Sequence, residues 1–368
     1  MQKKLVALAV AGLVSGGALA QSNVTISGGI YMGFDQNKTS GTAGTAGFGT
    51  VNRVTDHSSN LNINGSEDLG GGMKAVFQID TRFGLDQPGG TWAGGNSFVG
   101  LSGNWGRLVA GKHDLHYNEL ASGLGEPRIR STQSRLGHGM MSEVNGVAIT
   151  SRSRSNNVVM YNSPVMSGFS AQLAGSTAAF AAAEGGQAAD GSKGSAWNAT
   201  LKYANGPFNA GYSYWQNNEE GGNGATAGTA ASDQRANRIW ARYAMSNGLS
   251  LGLGYDSSKY DRDITANTIW VKRNAWLLTG QYSFGPSAVY LQYAKTGNSS
   301  GAAVDADTGA HGWMLAYDYA LSKRTAIGAS WTEVNNKTGG TYDFASTPVA
   351  TPVGAKSRQL HLGMSHKF

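Results

Sequence analysis

The feature that most constrains this chain is a two-residue alternation of apolar and polar side chains, which recurs along almost its whole length. From Trp313 to Tyr319, every odd position is aromatic or Leu, and the even positions are Met, Ala and Asp. The segments around Phe77, Leu201 and Leu362 follow the same pattern. Successive side chains of a β-strand point to opposite faces, so each segment predicts a strand with one apolar and one polar face. The chain is therefore predicted to be all-β.

Length and composition exclude several classes of protein. The chain has 368 residues, no Cys and a mean hydropathy of -0.30, which exclude a disulfide scaffold, a thiol enzyme, an iron-sulfur protein and a bundle of membrane helices. A net charge of +6 is too small and too dispersed to predict binding to nucleic acid. Gly is common, at 54 residues, and Pro is rare, at 7, so the chain is neither collagen-like nor a disordered polymer.

Residues 1–20 have the pattern of a secretory signal peptide. A basic start at Lys3 and Lys4 precedes an apolar run, and the segment ends in Ala18-Leu19-Ala20, which has the small-residue form of a cleavage site. The apolar run is too short to span a bilayer as a helix. We therefore predict removal of residues 1–20 and a single mature domain over residues 21–368.

Seven short turn signals, centred near residues 70, 104, 165, 206, 247, 285 and 322, divide the mature chain into eight hairpins. The intervening connections are long and rich in Gly, Ser, Thr and Ala. Short turns at one rim and long loops at the other are typical of outer-membrane barrels. A β protein must close its sheet in a bilayer because lipid cannot pair with open backbone groups. We predict a sixteen-stranded antiparallel transmembrane β-barrel with a lipid-facing apolar side and a water-filled bore.

One connection is longer than the others and differs in composition. The stretch from His113 to Ser155 exceeds its counterparts by about 20 residues and contains several acidic residues and arginines, whereas most other loops are nearly uncharged. A loop of this length without its own sheet is usually functional. We predict that this third loop, residues 113–155, folds inward, narrows the bore and places fixed charges beside a permeating solute.

Four sequence motifs are similar to those of a known protein family. They are Gly65-Ser66-Glu67-Asp68-Leu69-Gly70-Gly71-Gly72, Ala110-Gly111-Lys112, the segment from Asn157 to Pro164, and the terminal His366-Lys367-Phe368. With them, essentially the whole mature chain resembles the trimeric general porins of Gram-negative outer membranes, in particular the beta-proteobacterial branch.

The resemblance implies a homotrimer in the outer membrane, in contact with lipid and lipopolysaccharide, through which ions and small hydrophilic solutes diffuse passively. It implies neither a cofactor nor enzymatic activity. The terminal Phe368 is similar to the signal that the barrel-assembly machinery reads, and the segment from Gly84 to Gly95 corresponds to the loop that latches one subunit onto the next.

The resemblance also implies a constriction in which basic side chains on the pore wall face acidic side chains on the third loop. The motifs place Lys112 and Arg154 on the basic side, and alternation adds further inward-facing candidates, which are Lys74, Arg82, Lys202 and Arg242. The predicted acidic residues are Asp114, Glu119 and Glu126, and the loop contributes the basic residues Arg128, Arg130 and Arg135. Relatives often carry Arg and Lys where this chain has Asn60 and Asn64, so we expect only a weak preference for anions.

Motifs for catalysis and metal binding give no competing prediction. The His residues include no spacing typical of a zinc site, and His361, which alternates on a strand, is predicted to face water. Two other classes stay open as alternatives. One is an outer-membrane barrel hydrolase, for which His57 followed by Ser58 and Ser59 would supply the Ser/His pair; the other is an adhesin or receptor barrel that acts through its loops.

Overall fold

The computed structural model describes residues 23–41, 49–87, 89–116, 123–129, 135–149, 154–177, 195–218, 233–264, 267–301, 307–344 and 352–368. The predicted signal peptide, residues 1–20, lies outside this set, as do much of the long loops at residues 42–48, 178–194 and 219–232. Glu119 and Arg130, both predicted as charged loop residues, also lie outside it.

Strands make up most of the described residues. They are β1 (Asn23–Ser40), β2 (Gly49–Asp56), β3 (Asn60–Gly70), β4 (Met73–Phe83), β5 (Gly90–Thr91), β6 (Ser97–Gly103), β7 (Gly106–His113), β8 (Glu143–Val144), β9 (Val147–Ala148), β10 (Ser155–Asn162), β11 (Phe169–Ser176), β12 (Ala196–Asn205), β13 (Phe208–Asn217), β14 (Gln234–Ala244), β15 (Leu249–Ile264), β16 (Asn267–Phe284), β17 (Ser287–Thr296), β18 (Ala310–Ala320), β19 (Thr325–Asn336) and β20 (Lys356–Lys367). A short helix, α1 (Leu136–Gly139), lies between β7 and β8.

The strands form one closed antiparallel barrel. Each barrel strand pairs with the next along the chain, and the sheet closes where β1 pairs with β20, from Gly29 opposite Lys367 to Ser40 opposite Lys356. The segments β2 and β3 both pair with β1 and together form one barrel strand that is interrupted at residues 57–59. The short β5 flanks β4, and β8 and β9 form a separate hairpin. The predicted sixteen-stranded barrel is confirmed.

The seven predicted short turns are also confirmed. Each joins two consecutive strands of the barrel, for example at residues 71–72 between β3 and β4 and at residues 285–286 between β16 and β17. Positive φ angles at Gly71 and Gly285 show why Gly is suited to these turns, since other residues rarely adopt that conformation. Among the described helices, none is both long enough and apolar enough to cross a membrane.

The outer face of the barrel is apolar, as the alternation predicts. Phe77, Leu201 and Trp313 are 36%, 51% and 42% exposed, respectively. Leu315 lies in register between Leu291 on β17 and Trp331 on β19, and all three side chains are exposed. A contiguous apolar surface of this kind is suited to contact with hydrocarbon rather than with water.

The inner face is partly dry, which differs from the expectation of a polar inner face throughout. Inward-facing Trp240, Leu277 and Met314 pack with Leu136 and Met140 into one buried apolar cluster. The last two residues belong to the predicted third loop, residues 113–155, whose described part (residues 113–116, 123–129, 135–149 and 154–155) we call the inner loop. Since a loop packed inside a barrel must bury its own apolar side chains, the wall it contacts has to be apolar as well.

Candidate functional site

Two buried arginines on the barrel wall hold the backbone of the inner loop. Arg238 donates from Nη1 to the carbonyl oxygen of His116 at 3.0 Å and from Nη2 to that of Met141 at 2.8 Å. Arg273 donates from Nε to the carbonyl oxygen of Glu143 at 2.8 Å. The guanidinium group offers five N–H donors in a fixed fork, so each arginine can satisfy loop carbonyls that water would otherwise have to solvate.

One carboxylate forms ion pairs with both arginines. Asp256 lies opposite Arg238 in the register of β14 and β15, and its Oδ2 accepts a hydrogen bond from Arg238 Nε at 2.9 Å. Its Oδ1 accepts from Arg273 Nη1 at 2.8 Å. All three side chains are almost fully buried. We call Arg238, Asp256 and Arg273 the anchor cluster, because they join the inner loop to the wall.

A second carboxylate on the wall holds the loop near its middle. Asp318 accepts hydrogen bonds from the backbone N–H groups of Arg128 and of Ile129, the latter at 3.2 Å. This contact joins β18 to a loop segment about 190 residues earlier in the chain. The backbone of the inner loop is therefore fixed to the wall at two separate places.

The imidazole of His116 completes the attachment as a neutral group. Its Nδ1 lies 2.8 Å from the Ser213 hydroxyl. Burial, together with the neighbouring Arg238 guanidinium, lowers the pKa of His116 from its ordinary value of 6.5 to about 4. The ring is therefore uncharged near neutral pH.

This lowered pKa predicts an acid sensitivity of the folded state. Between pH 6.5 and about 4, unfolded His116 binds a proton and folded His116 does not, so stability should fall as the pH is lowered through this range and be unaffected by this group above it. We expect the urea midpoint of the wild type to fall more than that of His116→Gln over this interval. Equal losses in the two proteins would contradict the assignment.

Asp114 and Glu126, the two predicted acidic residues that the structure describes, are paired with cations of the same loop. Asp114 Oδ1 lies 3.5 Å from Arg154 Nε, and Asn96 bridges the two, since its side chain contacts both. Glu126 forms ion pairs with Arg135 at 3.0 Å and with His138 at 3.4 Å. Asp114 and Arg154, expected on opposite sides of a gap, are thus direct partners.

The predicted basic residues occupy several different environments. Lys74, Lys202 and Arg242 lie on the inward-facing positions of their strands. Arg242 donates to the Ser250 hydroxyl at 3.2 Å and to Gln281 Oε1 at 3.1 Å, both neutral groups.

Two further residues that were predicted on the basic side of the pore lie near the ends of strands. Arg82 forms an ion pair with Asp80 at 2.6 Å. Lys112, near the end of β7, lies opposite Ser97 in the register with β6.

A cavity of about 170 Å³ lies between the inner loop and the rim of short turns. Its lining comes from the loop, from the turn between β18 and β19, and from β1, β19 and β20. The charged residues that line it are Glu126, Arg128, Lys323, Arg324 and Lys367. Basic groups therefore outnumber acidic ones, and the single acidic group is the one already paired with Arg135 and His138.

Sequence reasoning missed the anchor cluster and Asp318. The sequence does contain a signal that could have identified them as interior charges. All four lie on the polar face predicted by alternation, where a charged side chain can contact only the bore or a loop inside it; they are Arg238, Asp256, Arg273 and Asp318. Which of these charges pair with one another depends on register between strands, and the sequence does not contain that information in any short motif.

Comparison with known proteins identifies the family. The sequence profile of Gram-negative porins matches residues 7–339. The chain belongs to the Gram-negative porin family. It is 30% identical to the outer membrane porin protein 32 of Delftia acidovorans, over the full length of both proteins. The family expected from the motifs is confirmed.

Solved porins share the fold. An anion-selective porin from Comamonas acidovorans superposes with a TM-score of 0.73 at 24% identity, covering 95% of this chain and all of that one. OmpT of Vibrio cholerae, solved in a trimer form, superposes with a TM-score of 0.67 at 13% identity, covering 94% of this chain and 99% of that one. This porin is thus a multi-pass β-barrel of the outer membrane that forms a water-filled channel for passive diffusion.

Proposed function

We propose that the channel is narrowed by the inner loop and passes small hydrophilic solutes with a weak preference for anions. The observation that carries the proposal is the cavity beside the loop, where Arg128, Lys323, Arg324 and Lys367 outnumber Glu126. Charges that line a narrow aqueous gap with low-dielectric walls act strongly on passing ions, because the walls focus the field.

The pairing of the loop carboxylates supports the sign of this preference. Asp114 and Glu126 each have a cationic partner within the loop, so much of their field is cancelled close to its source. Arg242, by contrast, is held on the wall by the neutral side chains of Ser250 and Gln281, which do not cancel its field. The anion selectivity of the similar porin from Comamonas acidovorans agrees with this sign.

Reversal potentials in planar bilayers test the proposal. In a KCl gradient, the wild type should show a modest excess of chloride over potassium permeability. Replacing Arg128 by Gln should lower that ratio by about twofold, as expected for loss of one unit charge several ångströms from an aqueous path. The backbone N–H of residue 128 is retained, so its bond to Asp318 persists.

Lys295→Gln is the matched control. Lys295 is exposed and lies between inward-facing Ala294 and Thr296, so the same change of charge occurs outside the bore. Its reversal potential should equal that of the wild type. A wild type that prefers potassium, or an equal shift in the two variants, would refute the proposed selectivity.

We infer a homotrimer surrounded by lipid and lipopolysaccharide, because the trimer form of OmpT shares this fold. Cleavage after Ala20 and recognition of Phe368 by the barrel-assembly machinery are supported by the sequence alone.

The geometry around Ser59 disfavours the hydrolase alternative. The Ser59 hydroxyl donates to the Asp56 carboxylate and accepts a hydrogen bond from the Tyr31 N–H at 2.9 Å. Its proton is therefore directed to an acidic group rather than to a histidine, and the side chain is buried. This arrangement stabilises a turn and does not activate a nucleophile, which supports a channel without catalytic activity.

A further inference from the structure

Three ligand-type side chains that are far apart in the sequence meet on the inner wall, where the first and last strands close the barrel. Asp35 lies on β1, His361 lies opposite it on β20, and His57 lies in the interruption between β2 and β3. One potential ligand atom from each lies within 4.8 Å of the others. All three residues are buried, so this is not a chance encounter of exposed acidic groups.

We propose that Asp35, His57 and His361 form a binding site for a divalent first-row transition metal ion of the zinc type. Two imidazoles and one carboxylate are the ligand set that such ions prefer over the oxygen-only sets of calcium and magnesium. The proposal is independent of ion selectivity and of the width of the bore.

One distance between the ligand atoms already matches that of such an ion, and a second is shorter. A tetrahedral ion with bonds of about 2.0–2.1 Å separates its ligand atoms by about 3.3 Å. His57 Nε2 lies 3.3 Å from Asp35 Oδ1. His361 Nδ1 lies 2.7 Å from the same oxygen. This is a hydrogen-bond distance, and it must lengthen to about 3.3 Å when an ion enters.

His57 has the unsatisfied polar atoms that a metal site requires. Its side chain is buried, yet neither ring nitrogen makes a well-directed hydrogen bond to any part of the chain that the structure describes. Burying such a group without a well-directed hydrogen bond costs free energy. Coordination through Nε2 would use the lone pair of the ring.

The backbone around His57 is shaped to direct it inward. The Asp56 carboxylate accepts hydrogen bonds from the N–H groups of Ser58 and Ser59 at 2.7 and 2.8 Å, and Ser58 adopts a positive φ of 75°. This turn interrupts the strand between β2 and β3. Such strain in a non-Gly residue commonly marks a functional position.

The other two ligands are also held in place. Asp35 Oδ2 is occupied by Arg53 at 3.4 Å and by Gln359 at 3.2 Å, which leaves Oδ1 facing the imidazoles. The His361 ring lies against Gly33 and Gly363, where a Cβ would come within 2.2 and 2.4 Å of ring atoms. Supporting contacts of this kind fix the orientation of metal ligands.

Titration with Co²⁺, followed by its visible absorption and by competition with Zn²⁺, tests the proposal. The untagged mature protein, stripped of metal and folded in detergent, should bind one equivalent per chain with bands typical of low coordination number. His57→Gln and His361→Gln should raise the Kd by about 100-fold or more. Lowering the pH should also weaken binding, because protonated imidazole cannot coordinate.

His311→Gln is the matched control, because His311 is exposed on β18. It should bind like the wild type. Heat-modifiable mobility on electrophoresis verifies that each variant is folded, and His57→Gln is the more informative variant because the His57 ring makes no well-directed hydrogen bond among the described residues. Failure of the folded wild type to bind either ion, or unchanged binding by folded His57→Gln, would overturn the site whatever the other variants do.

Discussion

Replacing Asp256 by Asn is expected to release the inner loop from the wall, raise the single-channel conductance and lower the free energy of unfolding by about 3–5 kcal/mol. Asp256 is the only acidic member of the anchor cluster, and it contacts Arg238 at 2.9 Å and Arg273 at 2.8 Å. The amide has nearly the shape of the carboxylate, so the change removes the charge and replaces one of the two acceptor oxygens by an NH2 donor that faces a guanidinium group. Two guanidinium groups with almost no exposure then lose their counter-ion.

The conductance should change because the same arginines hold the loop. Arg238 and Arg273 bind the carbonyl groups of residues 116, 141 and 143. Buried cations without a counter-ion draw in water, and water competes for the N–H donors that now hold those carbonyls. Loss of these bonds frees the loop to move away from the wall, and the width of the bore then fluctuates more.

Asp307→Asn is the matched control for this prediction. Asp307 also forms a carboxylate–cation pair, with Lys337 at 3.0 Å, but both side chains are more than half exposed. Exposed pairs contribute little because water and salt screen them. Urea unfolding and planar-bilayer recordings should show no change for this variant. If Asp256→Asn also left both quantities unchanged, the anchor cluster would not be what holds the loop.

The barrel could be predicted from sequence because its determinants are local. Alternation at Trp313 to Tyr319 fixes which side chains face outward, and each short turn needs only a few residues to specify it. A closed membrane barrel then follows from the requirement that every lipid-exposed backbone group be paired.

The charged interior was less predictable because its contacts are distant in the chain. Asp114 and Arg154 were expected to face each other across water, but Asn96 and the ends of two strands bring them into contact. Arg238 and Asp256 meet only because β14 and β15 pair in a particular register. Asp35 and His361 meet where the first and last strands close the barrel. None of these pairings has a signature in local composition.

Among substitutions on the outer face, Leu315→Arg is expected to lower the free energy of unfolding the most. Leu315 is at the middle of β18, is 52% exposed and lies between the exposed side chains of Leu291 and Trp331. An arginine at the midplane of the bilayer must be solvated by distorting the lipid or by bending toward an interface. We expect the free energy of unfolding in phospholipid vesicles to fall by about 2–4 kcal/mol.

The same substitution at Leu321 separates the effect of depth from that of exposure. Leu321 is 55% exposed but belongs to the short turn after β18, at the rim of the barrel. There an arginine reaches water and headgroups directly, so the expected cost is about 0–1 kcal/mol. Equal costs at the two positions would mean that Leu315 does not lie at the midplane of the hydrocarbon. A cost confined to Leu315 would require hydrocarbon around the middle of the outer face, because a soluble barrel would tolerate arginine equally at both exposed positions.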